Sequence, residues 1–305
     1  PWLAGKNDEF VERNIHANRK KIETVHKYGI EVPVGRRADE IDKELDANVE
    51  LSASHNNQRW RIAREFEQAK YLKQVALRKV LKGERLGEEY QFVKCFWVYD
   101  VKPDNPLCTT FKARWVAGGD QVDSRGVDKY LSVIQGEYNR VAFVLAKLNN
   151  QETVVGDLAN AYLHSECDEK VFTRLGDEWP SEWRGATVIF IKAVYGLAGS
   201  AHSFGRFVRR NLEEMGWTAS ENDPNLYWRI EFDGSCYQYT TWYVDDFTLT
   251  AKNPSSVMGE FEKKFMIKIW ELEPKRYLGS DVEDREGWRV FSAKTYLDEV
   301  LRTLN

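Results

Sequence analysis

The fold is decided by the stretch Thr240-Thr241-Trp242-Tyr243-Val244-Asp245-Asp246-Phe247-Thr248-Leu249-Thr250. Two adjacent carboxylates interrupt a run of β-branched and aromatic residues, which are the residues that strands favour. Because acidic side chains avoid buried strands, the pair predicts a tight turn at the tip of a hairpin between residues 241–244 and 247–251. Two negative charges side by side are costly unless a cation neutralises them. A solvated surface turn is the competing interpretation.

Composition describes a folded protein with a large core. The chain has 305 residues, of which 42% are hydrophobic, enough for two or three lobes. The net charge of −4 is mild evidence against a dedicated nucleic-acid binder, although a local basic groove is compatible with it. No apolar run reaches the length of a membrane span, and residues 1–5 show no signal-peptide pattern. We therefore expect no membrane partner.

The cysteines argue against a zinc site. They are far apart in the chain and form no C-x-x-C pair, and none has a histidine at metal-ligand spacing. Free thiols fit an intracellular reducing compartment best. The four residues are Cys95, Cys108, Cys167 and Cys236.

The first half of the chain alternates helical and strand patterns. Residues 1–58 form a highly charged extension, predicted to be partly helical and to wrap onto the main body or onto a protein partner. A basic helix is expected from Arg59 to Leu81, and two β-rich runs around Pro103-Asp104-Asn105-Pro106 predict an antiparallel hairpin. A core helix follows, and an apolar strand ends at Asp157. The apolar stripe of that helix is formed by Val141, Val144, Leu145 and Leu148.

The second half continues the alternation. A helix from Ser200 ends at Gly216, a typical C-cap, and Asp233-Gly234 marks a hairpin turn that leads into the opening stretch. A helix beginning at Asn253-Pro254, a strand over 277–282 and an amphipathic helix over 295–304 follow. Helices segregated on an antiparallel sheet define an α+β fold. The succession β-α-β-β-α-β predicts a ferredoxin-like sheet backed by helices.

Three carboxylates and two cations suit phosphoryl transfer. Such transfer uses two divalent ions roughly 3.5–4 Å apart, and Mg²⁺ prefers carboxylate oxygens. Asp157, Asp245 and Asp246 would supply those oxygens if the strand and the hairpin lie side by side. Lys112 and Arg114 are two apart on one strand and so share a face, which suits a triphosphate. An ordinary exposed strand face would have the same pattern.

Seven sequence blocks, in order, resemble motifs of the reverse transcriptase domain of copia-type LTR retrotransposons. The resemblance runs from about Trp60 to the end of the chain, and its most specific block is Tyr243-Val244-Asp245-Asp246, the catalytic motif of that family. Each block alone is weak, whereas seven in order are specific. The other six blocks are 60–67, 95–102, 112–117, 157–163, 194–197 and 277–279.

The resemblance implies the fingers and palm of a right-hand polymerase, with the ferredoxin-like sheet as the palm. Residues 59–150 would be the fingers, and residues 151–285 the palm with a fingers insertion around 165–200. Residues 286–305 would be a helix leading towards a thumb. The implied partners are an RNA template, a DNA primer and deoxynucleoside triphosphates, and the implied cofactor is a pair of Mg²⁺ ions, with Mn²⁺ as a substitute.

The resemblance also assigns roles to single residues. Asp157, Asp245 and Asp246 would be the catalytic metal ligands, and Lys112 and Arg114 would bind the triphosphate. The remaining roles fall on residues around the nucleotide and the primer. Tyr162 would be the steric gate against the ribose 2′-hydroxyl, Gly196 would lie under the nucleotide, Lys268 would protonate pyrophosphate, and Tyr277, Leu278 and Gly279 would form the primer grip.

Some positions depart from the family pattern. Ala198 and Ala201 stand where the family usually has Lys and Pro, and Phe204 replaces a usual Trp. Two functions therefore stay open. One is an RNA-directed DNA polymerase. The other is a domesticated, catalytically silent relative that serves as a structural subunit, which the acidic net charge also favours.

Overall fold

A computed structural model describes residues 24–27, 30–33, 58–105, 108–285 and 288–304. The helix predicted within residues 1–58 lies outside the described residues. The described part of that extension is a two-stranded antiparallel sheet. Within the described residues, no helix is long and apolar enough to cross a membrane.

The helices and strands are numbered along the chain. The helices are α1 (Gln58–Lys73), α2 (Gly136–Leu148), α3 (Ser200–Glu214), α4 (Pro254–Lys264) and α5 (Lys294–Leu304). The strands are β1 (Thr24–Lys27), β2 (Ile30–Pro33), β3 (Leu77–Lys79), β4 (Gln91–Phe92), β5 (Cys95–Asn105), β6 (Cys108–Ala117), β7 (Glu152–Leu158), β8 (Val171–Arg174), β9 (Thr187–Phe190), β10 (Thr218–Ala219), β11 (Leu226–Ile230), β12 (Tyr237–Tyr243), β13 (Asp246–Ala251), β14 (Ile267–Leu272), β15 (Arg276–Tyr277), β16 (Ser280–Arg285) and β17 (Trp288–Ser292).

The chain forms two compact units, and each is discontinuous in sequence. The first comprises residues 1–123, 170–191 and 195–197, and the second comprises residues 124–169, 192–194 and 198–305. Helix α2, which the sequence analysis assigns to the fingers, belongs to the second unit. The α+β class is confirmed, because both units combine helices with mainly antiparallel sheets.

The first unit is built from the predicted hairpin and a second small sheet. Strands β5 and β6 pair antiparallel, and Trp60 of α1 packs edge-on against Tyr99 and Phe111, each ring 4.8 Å away. Helix α1 ends at Lys73 instead of the predicted Leu81. Residues 77–79 pair with β9 in the sheet β3-β9-β8-β4, so strand pairing outweighs the helical pattern there.

The second unit contains a six-stranded sheet in the order β10-β11-β12-β13-β7-β14. Its last four strands follow the ferredoxin-like order, and the apolar faces of α3 and α4 pack on one side of them. The closing strand is β14, and the prediction of a strand over 277–282 is wrong. Those residues instead form a hairpin of β15 and β16, whose two-residue turn places both Leu278 and Gly279 at positive φ.

Helix α2 packs against the same sheet, but through a different face from the predicted one. Val141 and Leu148 are 47% and 73% exposed, so the predicted apolar stripe is wrong. The buried face contains Asn139 and Phe143. Asn139 accepts a hydrogen bond of 2.8 Å from the Thr241 hydroxyl of β12, because the sheet presents buried threonines to this helix.

Gly156 of β7 allows the densest part of the core to form. It lies opposite Phe247 of β13, and a Cβ atom at Gly156 would be 2.3 Å from the Phe247 Cζ atom. Phe247 is fully buried and stacks on Trp242 with ring centroids 5.1 Å apart. The strand that ends at Asp157 therefore has its position set by a close contact one residue earlier.

Candidate active site

The acidic hairpin has a two-residue turn between β12 and β13. Tyr243 pairs with Asp246, so the turn consists of Val244 and Asp245. The prediction that both aspartates form the tip is therefore corrected, because Asp246 is the first residue of a strand. Val244 has φ of 55°, which is unfavourable for a β-branched residue. The turn thus has local backbone strain directly before the acidic pair.

Two of the three predicted carboxylates face each other across neighbouring strands. Asp246 of β13 is the register partner of Asp157 of β7, and the Leu158 N–H donates a 2.8 Å hydrogen bond to the Asp245 carbonyl. Partial burial, together with the negative charges of Asp245 and Asp157, raises the pKa of Asp246 to about 6. The structure therefore places the three aspartates at the same end of the neighbouring strands β7 and β13.

The raised pKa predicts that the metal-free protein loses stability as the pH rises. Asp246 holds its proton more strongly in the folded chain than in the unfolded chain, so the free energy of unfolding falls between about pH 4 and about pH 6. Solvent screening limits the loss to the order of 1 kcal/mol. Urea unfolding at several pH values, in the presence of a chelator, would measure it. In Asp246→Asn the free energy of unfolding should fall less over this pH range. An unchanged pH dependence would show that Asp246 is not the group responsible.

Lys268 contacts the site from the edge strand β14. The pairing of β14 with β7 shifts between Ile267 and Ile269, so Lys268 is the extra residue of a bulge. Its ammonium group forms an ion pair with the Asp157 carboxylate and lowers the pKa of Asp246. The structure thus places Lys268 in contact with Asp157, whereas its role as a proton donor to pyrophosphate stays a prediction.

A cleft of about 310 Å³ opens beside Asp157 and Asp246. The β15–β16 turn forms one wall, so the predicted primer-grip residues Tyr277, Leu278 and Gly279 line the cleft with the two aspartates. Burial raises the pKa of Tyr277, with a further contribution from the charge of Asp246. Sequence reasoning did not identify Ile269 and Arg276, which also line the cleft. Arg276 directly precedes the motif over 277–279, and this position in the sequence could have identified it as a cleft residue.

Tyr162 lies near the acidic turn. It is part of a short 3-10 helix, Ala161–His164, that follows Asn160 in the left-handed conformation. Its ring packs edge-on against Phe204, with centroids 6.2 Å apart. Partial burial raises the pKa of Tyr162, and the Asp245 charge adds to the effect. The role of Tyr162 as a steric gate stays a prediction.

The other predicted nucleotide-binding residues belong to the first unit. Lys112 and Arg114 lie at alternate positions of β6 and share a face, and Arg114 lies over the Tyr195 ring at 5.7 Å. Gly196 has φ of 95°, and a Cβ atom there would be 1.9 Å from the Ala117 carbonyl oxygen. The close approach to Ala117 is by itself a structural reason for glycine. Contact of these three residues with a nucleotide stays a prediction.

The acidic site fits a hard divalent cation in the chemistry of its donors. Carboxylate oxygens are the ligands that Mg²⁺ prefers, and the repulsion that raises the pKa of Asp246 is what a bound cation relieves. Among the described residues, no group of three or more His, Cys, Asp or Glu side chains is close enough together to hold a metal ion. Metal binding would therefore require the aspartate side chains at this end of β7 and β13 to move.

The fold and site define an α+β protein with a ferredoxin-like sheet and a cluster of aspartates at one hairpin. Residues 84–305 match the model of the reverse transcriptase (RNA-dependent DNA polymerase) family, so the chain belongs to that family. No curated protein matches the chain.

Two solved structures are similar in chain course. One is a foamy viral protease–reverse transcriptase in complex with double-stranded DNA, at 15% identity and a TM-score of 0.45 over 78% of this chain and 36% of that one. The other is a mutant of the prototype foamy virus protease–reverse transcriptase, at 19% identity and a TM-score of 0.39 over 75% of this chain and 27% of that one. The chain thus spans about a third or less of their length.

Proposed function

We propose that the chain is the RNA-directed DNA polymerase of a copia-type retroelement and that its second unit contains the polymerase palm. The observation that carries the proposal is the cross-strand pair of Asp157 and Asp246 with Asp245 in the adjoining turn. A structural role alone does not require three mutually repelling carboxylates at the same end of two neighbouring strands. Membership of the reverse transcriptase family supports the same reaction.

In this proposal each residue has a definite role. Asp157, Asp245 and Asp246 would hold two divalent ions, which supply a more acidic primer hydroxyl and neutralise the leaving pyrophosphate when they are bound. The turn Leu278-Gly279 and Tyr277, across the cleft, would orient the primer end towards the aspartates. Lys268 would donate a proton to the leaving pyrophosphate, since it is the lysine that already contacts Asp157.

Primer extension tests this function. The full chain is incubated with Mg²⁺, deoxynucleoside triphosphates and a DNA primer annealed to RNA, and in parallel to DNA of the same sequence. Extension on the RNA template that disappears in Asp245→Asn supports the proposal. Absence of extension on both templates would favour the catalytically silent structural relative, for which Ala198 and Ala201 at the departing positions are the sequence argument.

We expect Tyr162→Ala to relax discrimination against ribonucleotides by about a hundredfold, the size typical of a pocket contact that excludes one hydroxyl group. Tyr162 packs on Phe204 close to Asp245, where a bound sugar would lie if Asp245 holds the metal. Single-nucleotide incorporation with matched ribo- and deoxyribonucleotides measures the ratio. Tyr162→Phe is the control, because it keeps the ring and should keep the discrimination. Equal ratios in all three proteins would contradict the gate.

A further inference from the structure

Lys268 occupies an unusual position for a surface lysine. Its side chain is 61% exposed, whereas the Asp157 carboxylate that it contacts is only 27% exposed. In β14, Ile269 pairs with Asp157 and Ile267 pairs with Leu158, so Lys268 is the unpaired residue of a bulge directly beside Asp157. The bulge in β14 therefore occurs at Lys268, the residue whose ammonium group contacts Asp157.

The ammonium group of Lys268, like a bound metal ion, partly neutralises the negative charge of the aspartates. The charges of Asp245 and Asp157 raise the pKa of Asp246, and the positive charge of Lys268 lowers it, so the lysine offsets part of the repulsion. Arg276 also lines the cleft, and its charge contributes to the lowered pKa of Asp281 in β16. Lys268 is in direct contact with a predicted metal ligand, because it forms an ion pair with Asp157.

We propose that Lys268 is an internal counter-ion that takes the place of a divalent cation on Asp157, and that metal binding displaces it. The proposal rests on the proposed function, because it assumes that Asp157 is a metal ligand. An ammonium group and a divalent ion repel each other at the distance of a shared carboxylate, so they cannot both use it at full strength. Exposure makes the exchange inexpensive, since the flexible lysine stem can move its charge into water.

The exchange has a measurable consequence for metal affinity. An exposed ion pair is weak, so removing the lysine should tighten metal binding by about threefold. A lysine that acts only as a proton donor to pyrophosphate predicts no change in the absence of nucleotide. The two roles are therefore distinguishable without any measurement of catalysis.

Titration of the full chain with Mn²⁺ alone, followed by the loss of the free-ion electron paramagnetic resonance signal, tests the displacement. The variant is Lys268→Met. The matched control is Lys252→Met, which removes an equal charge from an ion pair of 3.0 Å with Asp233 elsewhere in the second unit. Tighter binding by about threefold in Lys268→Met, with none in Lys252→Met, is the expected result.

Two other outcomes would overturn the proposal, and they differ in what they say about the proposed function. If Asp245→Asn weakens Mn²⁺ binding but Lys268→Met binds as the wild type does or more weakly, the counter-ion role is wrong and the metal site stands. If the wild type and Asp245→Asn bind Mn²⁺ with the same affinity, or neither binds it, both the counter-ion role and the proposed function fail. A second measurement is the acylation rate of Lys268 by an amine-reactive ester, which added Mg²⁺ should raise.

Discussion

Asp245→Asn should reduce primer extension by about a thousandfold. A metal ion contributes several kcal/mol to the stabilisation of charge in the transition state. A loss of about 4 kcal/mol corresponds to about three orders of magnitude in rate. Asp245 lies in the two-residue turn directly before β13, so its replacement by the isosteric amide removes one ligand charge without changing the hairpin pairing. Steady-state extension rates on the RNA template would measure the effect.

The same substitution has a second expected result that separates lost chemistry from lost folding. The Asp245 charge raises the pKa of Asp246, so the amide relieves a repulsion in the metal-free protein. The variant should therefore unfold at the same urea concentration as the wild type or at a higher one. Asp233→Asn, in the exposed turn between β11 and β12, is the control for an aspartate-to-amide change and should extend primers normally. Activity above about a tenth of wild type in Asp245→Asn would contradict the metal-ligand role.

Gly156→Ala should destabilise the second unit by about 3 kcal/mol, at the upper end of the usual cost of overpacking. The added methyl group would lie 2.3 Å from Phe247 Cζ and 2.5 Å from Cε1. The ring cannot move away easily, because Trp242 stacks on it and Phe261 packs against it at 5.7 Å. The free energy of unfolding, obtained from urea denaturation, measures the change.

A double-mutant cycle identifies the contact responsible. In a Phe247→Leu background the smaller side chain leaves room for the methyl group, so Gly156→Ala should cost clearly less there. Gly259→Ala is a control in the opposite direction. Gly259 lies within α4 with open space around it, so alanine should increase stability by up to about 1 kcal/mol. If the free energy of unfolding of Gly156→Ala is within about 0.5 kcal/mol of the wild-type value, β7 and β13 accommodate the methyl group and the prediction is wrong.

Short sequence patterns correctly predicted elements that depend on a few adjacent residues, such as turns and helix starts. The hairpin around Asp233-Gly234 is confirmed. The predicted C-cap at Gly216 is corrected by one residue, because Met215 is the C-cap and Gly216 follows it at a positive φ of 81°. Helix α4 begins as expected, with the Asn253 side chain accepting a hydrogen bond from the Ser256 N–H at 3.2 Å. The α+β class followed from the order of such elements.

Long-range pairing decided the elements that the patterns missed. Strand β14 has no clear alternation, and it becomes a strand because β7 offers an unpaired edge. In α2, Val141, Val144 and Leu148 are exposed. The buried face contains Asn139 and Phe143, and Asn139 accepts a hydrogen bond from a buried threonine of the facing strand. Burial of a polar side chain with its partner cannot be inferred from the helix alone.

The candidate site shows the same division. Adjacent Asp245 and Asp246 were visible as a motif, whereas their alignment with Asp157 depends on the register of β13 and β7. The contact of Lys268 with Asp157 depends on a bulge, which no local pattern in β14 marks. Motifs therefore indicated which residues matter, and the strand register determined how they meet.

The discontinuous first unit has a consequence for synthesis on the ribosome. Strand β3 pairs with β9, which follows it by about a hundred residues, and β4 pairs with β8 after a similar delay. The sheet of that unit cannot close until most of the intervening chain has been translated, and such distant pairing slows folding. Nascent β3 and β4 would meanwhile expose unpaired edges. Yield of the intact chain should thus depend on elongation rate and chaperone supply, and a fragment that stops before β8 would be a poor substitute for the first unit.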